Sequence, residues 1–290
     1  MKYFRNVLIF LMTVTACNTA PQIPVNAHYK RVVVLGQTPL ELLLALGLKD
    51  RIAGIAYLDN PEHLQGYDSL PVLSRGWVDK ESVLALQPDL IFALESAFRT
   101  ERIGSEAFWH HRGIKTCIID NYNQDKNEAN YRADIRKTGT LLHMEEQTDS
   151  MIRHLECTAT KYARPRAAAP RVLHLSYAGS FGQFYYYPPT MCLLDEVVEK
   201  CGGNYVNLGK QYFILPLEAI IQANPDKIII TQFRKQAGVN IAEQLYDNPF
   251  LQYLRVIQKR EILEVDYTEA IRGTTDMETI YSAVSKFLQL

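Results

Sequence analysis

Two phosphate-binding fingerprints are missing from this sequence: there is no G-x-x-x-x-G-K-[ST] and no G-x-G-x-x-G, so neither a P-loop nor a dinucleotide-binding turn is written in it. There is no basic excess, since 31 Lys and Arg face 32 Asp and Glu for a net charge of −1, which argues against a nucleic-acid binder. None of the five cysteines forms a C-x-x-C. The "HMEEQ" stretch at His143 has no second histidine four residues on, so it is not a zincin site. His143 and His154 would share a helical face about 16 Å apart, and the adjacent His110 and His111 diverge, so no metal-ligand set is expected. No cofactor is expected either, and no low-complexity tract occurs. The first apolar run, Val7 to Val14, is far below the ~20 residues that span a bilayer.

What is present is 290 residues, 47% hydrophobic and 22% charged, enough for two ordinary globular domains. Residues 1–17 begin with Lys2 and Arg5, continue through the short apolar run and end in small residues, the pattern of a secretory signal. "VTAC" also resembles the bacterial lipoprotein signal, with Val14 where Leu is usual, which makes Cys17 the expected lipidation site. Residues 18–29 read as a tether. The remaining cysteines, Cys117, Cys157, Cys192 and Cys201, allow three disulfide connectivities, and buried free thiols are the preferred reading. Cys192 and Cys201, placed on one helix nine residues apart, would point to opposite faces.

Short apolar strands alternate with helices over 30–127 and again over 166–290, the mark of parallel βαβ units in two α/β lobes. Between them, residues 128–165 have helical spacing and no proline before Pro165, and predict one long helix of about 50 Å. One phrase occurs twice. "ESVLALQPDLIFA" from Glu81 is matched by "EAIIQANPDKIII" from Glu218, aligning Glu81, Pro88 and Asp89 with Glu218, Pro225 and Asp226. A helix, a Pro-Asp turn and a strand at the same place in each half predict two similar lobes.

"RVVVLGQTPLELLLALGLKDRIAGIA", "VDKESVLALQPDLIFA", "LLDEVVEKCGGNYVN" and "LEAIIQANPDKIIIT" together resemble the substrate-binding proteins of ABC importers for iron–siderophore complexes, haem and vitamin B12. The resemblance implies two α/β lobes with parallel sheets joined by a long helix, a ligand cleft between the lobes, and export to a bacterial membrane surface through the lipidated Cys17. It implies a ferric siderophore or similar metal chelate as ligand, with cobalamin or haem as the alternative, and no chemistry. It also implies that Glu81 and Glu218 dock on arginines of the two permease subunits, although a glutamate in a first helical turn also serves the helix dipole.

In open parallel sheets, ligands bind beyond the carboxyl ends of the strands. The loops there carry Tyr57, Arg75, Trp77, Arg99, Tyr185, Phe233, Arg234, Tyr267 and Arg272 as candidate ligand-binding residues, with Phe98, Tyr122, Phe184, Tyr186 and Tyr187 beside them. Arginine forks and aromatic faces suit a bulky, partly anionic, planar or aromatic ligand. Tyr185, Tyr186 and Tyr187 cannot all face a cleft, because side chains alternate along an extended segment. Two other classes stay open. An exported hydrolase would use Ser180 in "AGSFG", but "QFYYYPP" follows where a nucleophile elbow needs a helix. A surface lipoprotein that binds another protein is the other.

Overall fold

The computed structural model describes residues 29–119, 125–166, 169–179, 183–235 and 238–289. Cys17, most of the tether, Tyr122 and Ser180 lie outside the described residues.

The N-terminal lobe is built from β1 (Val32–Leu35), α1 (Gln37–Ala45), β2 (Ile52–Ala56), β3 (Val72–Ser74), α2 (Lys80–Ala85), β4 (Leu90–Leu94), α3 (Glu106–His110) and β5 (Lys115–Ile119). Its five strands are all parallel, in the order β3-β2-β1-β4-β5. Alternation along β1 sends Val32 and Val34 to one apolar cluster and Val33 and Leu35 to another, so both sheet faces are covered.

Two helices follow, α4 (Glu128–Leu142) and α5 (Glu145–Tyr162). The single long helix expected over 128–165 is therefore corrected to a helical hairpin. His143 takes a left-handed conformation (φ 53°) and Met144 N–H bonds back to the Gly139 carbonyl at 2.8 Å, which reverses the chain. Arg132 on α4 meets Glu156 on α5 at 3.5 Å. A Cβ at Gly139 would lie 2.0 Å from Thr148 Oγ1, so only glycine permits this approach.

The C-terminal lobe comprises β6 (Arg171–Tyr177), β7 (Phe184–Tyr186), α6 (Leu194–Lys200), β8 (Asn204–Tyr205), β9 (Phe213–Leu215), α7 (Leu217–Ala223), β10 (Lys227–Gln232), α8 (Ile241–Tyr246), α9 (Arg255–Gln258), β11 (Ile262–Val265), α10 (Tyr267–Ile271) and α11 (Glu278–Gln289). Its sheet runs β11-β10-β6-β7-β9, with β8 beside β6, and β7 is antiparallel to both neighbours. Cys192 lies outside α6 and Cys201 caps it, so the two do not share a helix. All four described cysteines are free; Cys117, Cys192 and Cys201 are buried and Cys157 is exposed.

One apolar cluster runs through the whole molecule. It takes Val32 and Leu40 from the first lobe, Tyr131, Ile135 and Ile152 from the hairpin, and Leu193, Val197 and Tyr281 from the second lobe. The hairpin thus packs on both lobes rather than bridging open space. Glu128 at its start is buried and bonded by Lys200 Nζ (2.5 Å), Arg132 Nη1 (3.1 Å) and the Tyr281 hydroxyl, which fixes α4 to α6 and α11. No helix among the described residues is long and apolar enough to cross a membrane.

Candidate ligand-binding cleft

The site grows from strand alternation in β7. Phe184 and Tyr186 turn into the core, where the Tyr186 hydroxyl donates to the Val206 carbonyl at 3.3 Å and accepts Leu208 N–H at 2.7 Å. Tyr185 and Tyr187 face the other way. Tyr212, just before β9, stacks on Tyr185 (centroids 4.9 Å apart, 15° between planes) and meets Tyr187 edge-on at 4.9 Å.

Phe233 and Arg234 leave the carboxyl end of β10, and Tyr267 opens α10, whose cap Asp266 accepts the N–H groups of Thr268 (2.7 Å) and Glu269 (3.1 Å). Phe233 and Tyr267 pack edge-to-face at 5.1 Å, and the hydroxyls of Tyr187 and Tyr267 lie 3.0 Å apart. Burial raises the Tyr187 phenol well above its ordinary pKa, so it stays a neutral hydrogen-bonding group.

The first lobe contributes Tyr57, at the carboxyl end of β2 and 6.2 Å from Phe233. Trp77 stands behind it, stacked at 3.6 Å and 12°, with the Arg102 guanidinium 3.9 Å from the Trp77 ring centre. Two groups at such distances occupy opposite faces of the indole. Trp77 therefore backs Tyr57 and offers no free face to a ligand.

Direct bonds close the base of the cleft. Arg234 donates to the carbonyls of Leu58 (3.2 Å) and Arg75. Asn60 Nδ2 reaches Asp266 at 3.2 Å, Asn60 Oδ1 accepts Lys235 N–H at 2.9 Å, and the Thr38 hydroxyl donates to the Gly273 carbonyl at 3.2 Å. Arg272 and Asp59, both buried, form an ion pair at 3.2 Å across the lobe boundary.

A cavity of about 450 Å³ opens between the lobes, in the range of small-molecule sites. Of its eleven described lining residues seven are aromatic (Tyr57, Tyr177, Tyr185, Tyr187, Tyr212, Phe233 and Tyr267), and Arg234 is the one charged residue among them, so ring stacking dominates what this surface can recognise. Arg234 uses Nε and Nη2 on carbonyls and keeps further N–H donors for an anion.

The cavity brings together five of the nine candidates: Tyr57, Tyr185, Phe233, Arg234 and Tyr267. Trp77 supports from behind. Three arginines stand elsewhere. Arg272 is buried against Asp59. Arg75 is exposed and paired with Glu62. Arg99, also exposed, lines a separate groove of about 540 Å³ in the first lobe with Phe98 and Glu106. Tyr177 and Tyr212 went unnoticed in the sequence, although "YFIL" at 212–215 is a short aromatic and apolar run of the kind that forms a strand, and it pairs with β7. No cluster of three or more His, Cys, Asp or Glu able to hold a metal ion exists among the described residues. Glu81 and Glu218 are both exposed in the first turns of α2 and α7.

The profile of the periplasmic binding protein family matches residues 32–267, and the chain belongs to that family of exported solute-binding proteins. Solved structures agree on the fold. A periplasmic binding protein from Veillonella parvula superposes with a TM-score of 0.77 at 20% identity, over 91% of this chain and 92% of that one. A periplasmic haem-binding protein from Pseudomonas aeruginosa gives 0.75 at 19%, over 90% and 93%. An ABC-type Fe3+-hydroxamate transport protein from Saccharomonospora viridis gives 0.71 at 15%, over 90% and 94%. No curated protein sequence matches significantly.

Proposed function

We propose that this protein captures a ferric siderophore or a similar metal chelate between its lobes and delivers it to an ABC permease. The observation that carries this reading is the interlobe cavity, with its seven rings and one guanidinium. Rings of that number favour a ligand with extended π faces, and one arginine with spare donors favours at least one anionic group. Haem is the second reading, favoured by the same lining. The solved structures named above include a haem-binding protein and a hydroxamate-transport protein on this fold, which supports both.

The protein acts by binding and release. Glu81 and Glu218, exposed at matching places of the two lobes, are the permease contacts, each offered to a basic group on one of two similar subunits. Cys17 carries the lipid that holds the protein at the membrane.

Native mass spectrometry of the purified protein with ferric hydroxamates, ferric catecholates, haem and cobalamin tests the reading. One chelate is expected to give a one-to-one complex that withstands competition from the others. Binding of none of them contradicts the proposal.

A further inference from the structure

We propose that the aromatic cavity continues onto an apolar shelf of Tyr185, Tyr212 and Ile214, which seats an apolar arm, an aryl group or acyl chain, of the bound chelate. This inference rests on the chelate-binding reading above and narrows it to a class of ligand.

The shelf follows from register. Tyr185 on β7 pairs with Ile214 on β9, and directly opposed residues of an antiparallel pair project from the same sheet face. Tyr212, two residues before Ile214, points the same way and stacks on Tyr185. Tyr185 and Tyr212 also line the cavity, so cavity and shelf share two rings. An arm leaving the cavity passes onto Ile214 without crossing a charged group on these strands. The ribbon's other face is spent on the core, through Phe184, Tyr186 and Leu215.

The exposure calls for an occupant. Ile214, on the strand that forms the sheet edge, is 50% exposed, and Tyr212, just before that strand, is 41% exposed. Edge strands ordinarily carry charge, proline or cover to prevent association, and exposed contiguous apolar surface marks an interaction site. Its continuity with the cavity selects part of the same ligand as that occupant.

The test uses ferric complexes of two hydroxamates that differ only in a medium-length acyl chain, titrated into the purified protein and its Ile214→Asp variant. Ile214 does not line the cavity, so the variant leaves the headgroup site intact. The acylated complex is expected to bind wild type about tenfold more tightly or better, from burial of a few methylenes. Ile214→Asp should abolish that preference while the unacylated complex binds as before. Equal affinities in wild type, or a preference that survives Ile214→Asp, overturn the shelf and leave the functional reading standing. Unchanged affinities with lost cellular uptake make the shelf a permease contact and overturn it likewise. If neither complex binds, the ferric-hydroxamate form of the functional reading fails, and the shelf's role with it.

Discussion

Tyr57 and Arg234 face each other across the lobe boundary, both with left-handed backbone (φ 56° and 54°), and the Arg234 guanidinium carbon lies 5.8 Å from the Tyr57 ring centre. Left-handed conformations in residues other than glycine are sparsely populated and persist where their surroundings over-determine them. Here the surroundings are the carbonyls of Leu58 and Arg75, which hold Arg234 across the boundary. Arg234→Ala should lose this strap and keep the unfavourable backbone; Arg234→Gly loses only the strap. The glycine variant is therefore expected to be more stable than the alanine variant by about 1 kcal/mol, read from urea unfolding. Equal stabilities would mean that the backbone there is unstrained.

The doubled phrase has a structural basis in Asp89 and Asp226. Asp89 accepts the N–H groups of Lys30 (2.6 Å) and Arg31 (3.0 Å) at the start of β1, and Asp226 accepts Arg171 N–H (2.9 Å) at the start of β6. Before each Pro-Asp a left-handed residue ends the helix, Gln87 at φ 48° and Asn224 at φ 42°. Alanine at either aspartate should cost about 1–2 kcal/mol, and the double variant the sum, since the sites lie in different lobes. Thermal and urea unfolding measure both.

Docking is tested by charge reversal. Glu81→Arg and Glu218→Arg should each stop chelate uptake in cells while leaving solution affinity unchanged, because both side chains are exposed outside the cavity. Loss of ligand affinity in either variant removes that residue from the permease-docking role.

A histidine and two carboxyls, shifted in opposite directions by burial, shape the pH dependence of stability. His174 lies between the hydroxyls of Tyr205 (3.2 Å) and Thr231 (2.9 Å), and burial lowers its pKa from 6.5 to about 3. The unfolded chain takes up that proton first, so this contribution is lost as pH falls from about 6.5 towards 3. Burial, reinforced by Asp266, Asp59 and Glu269 and opposed by the Gln37 amide, raises Glu41 to about 8; burial raises Glu269 to about 7. The unfolded chain releases those protons first, so their contribution is lost as pH rises from about 4.5 to 8. Glu41→Gln should flatten the alkaline limb of stability against pH and leave the acid limb alone. His174→Asn should flatten the acid limb. Urea titrations across pH 4 to 9 separate the two.

The two-lobe layout was legible because short apolar strands alternating with helices, and the repeated helix–turn–strand phrase, are local signals. Alternation also foretold that Tyr185, Tyr186 and Tyr187 would not all face one side; Tyr186 is the one that turns into the core. The hairpin was not legible. Its break carries neither glycine nor proline; His143 supplies the left-handed turn, and the visible cues are Glu145 and Glu146, acids at the start of a new helix. Where Arg75, Arg99 and Arg272 stand was hidden for a related reason. A sequence shows that Arg272 follows a strand, but not that Asp59, more than two hundred residues earlier, buries it in an ion pair.

The central claim is that the ligand sits against Tyr57, Phe233 and Tyr267 between the lobes, and the protein carries its own reporter. It has two tryptophans. Trp109 is fully buried with its indole N–H on the Ile103 carbonyl, whereas Trp77 stacks directly behind Tyr57. In a Trp109→Phe variant, emission from Trp77 should be quenched saturably at one equivalent of the chelate identified by native mass spectrometry. Phe233→Ala should weaken that titration by about tenfold or more, for loss of a stacked ring worth about 1–2 kcal/mol. A chelate that binds one-to-one while Trp77 emission stays unchanged, or whose affinity survives Phe233→Ala, would place the ligand outside this cavity and contradict the account.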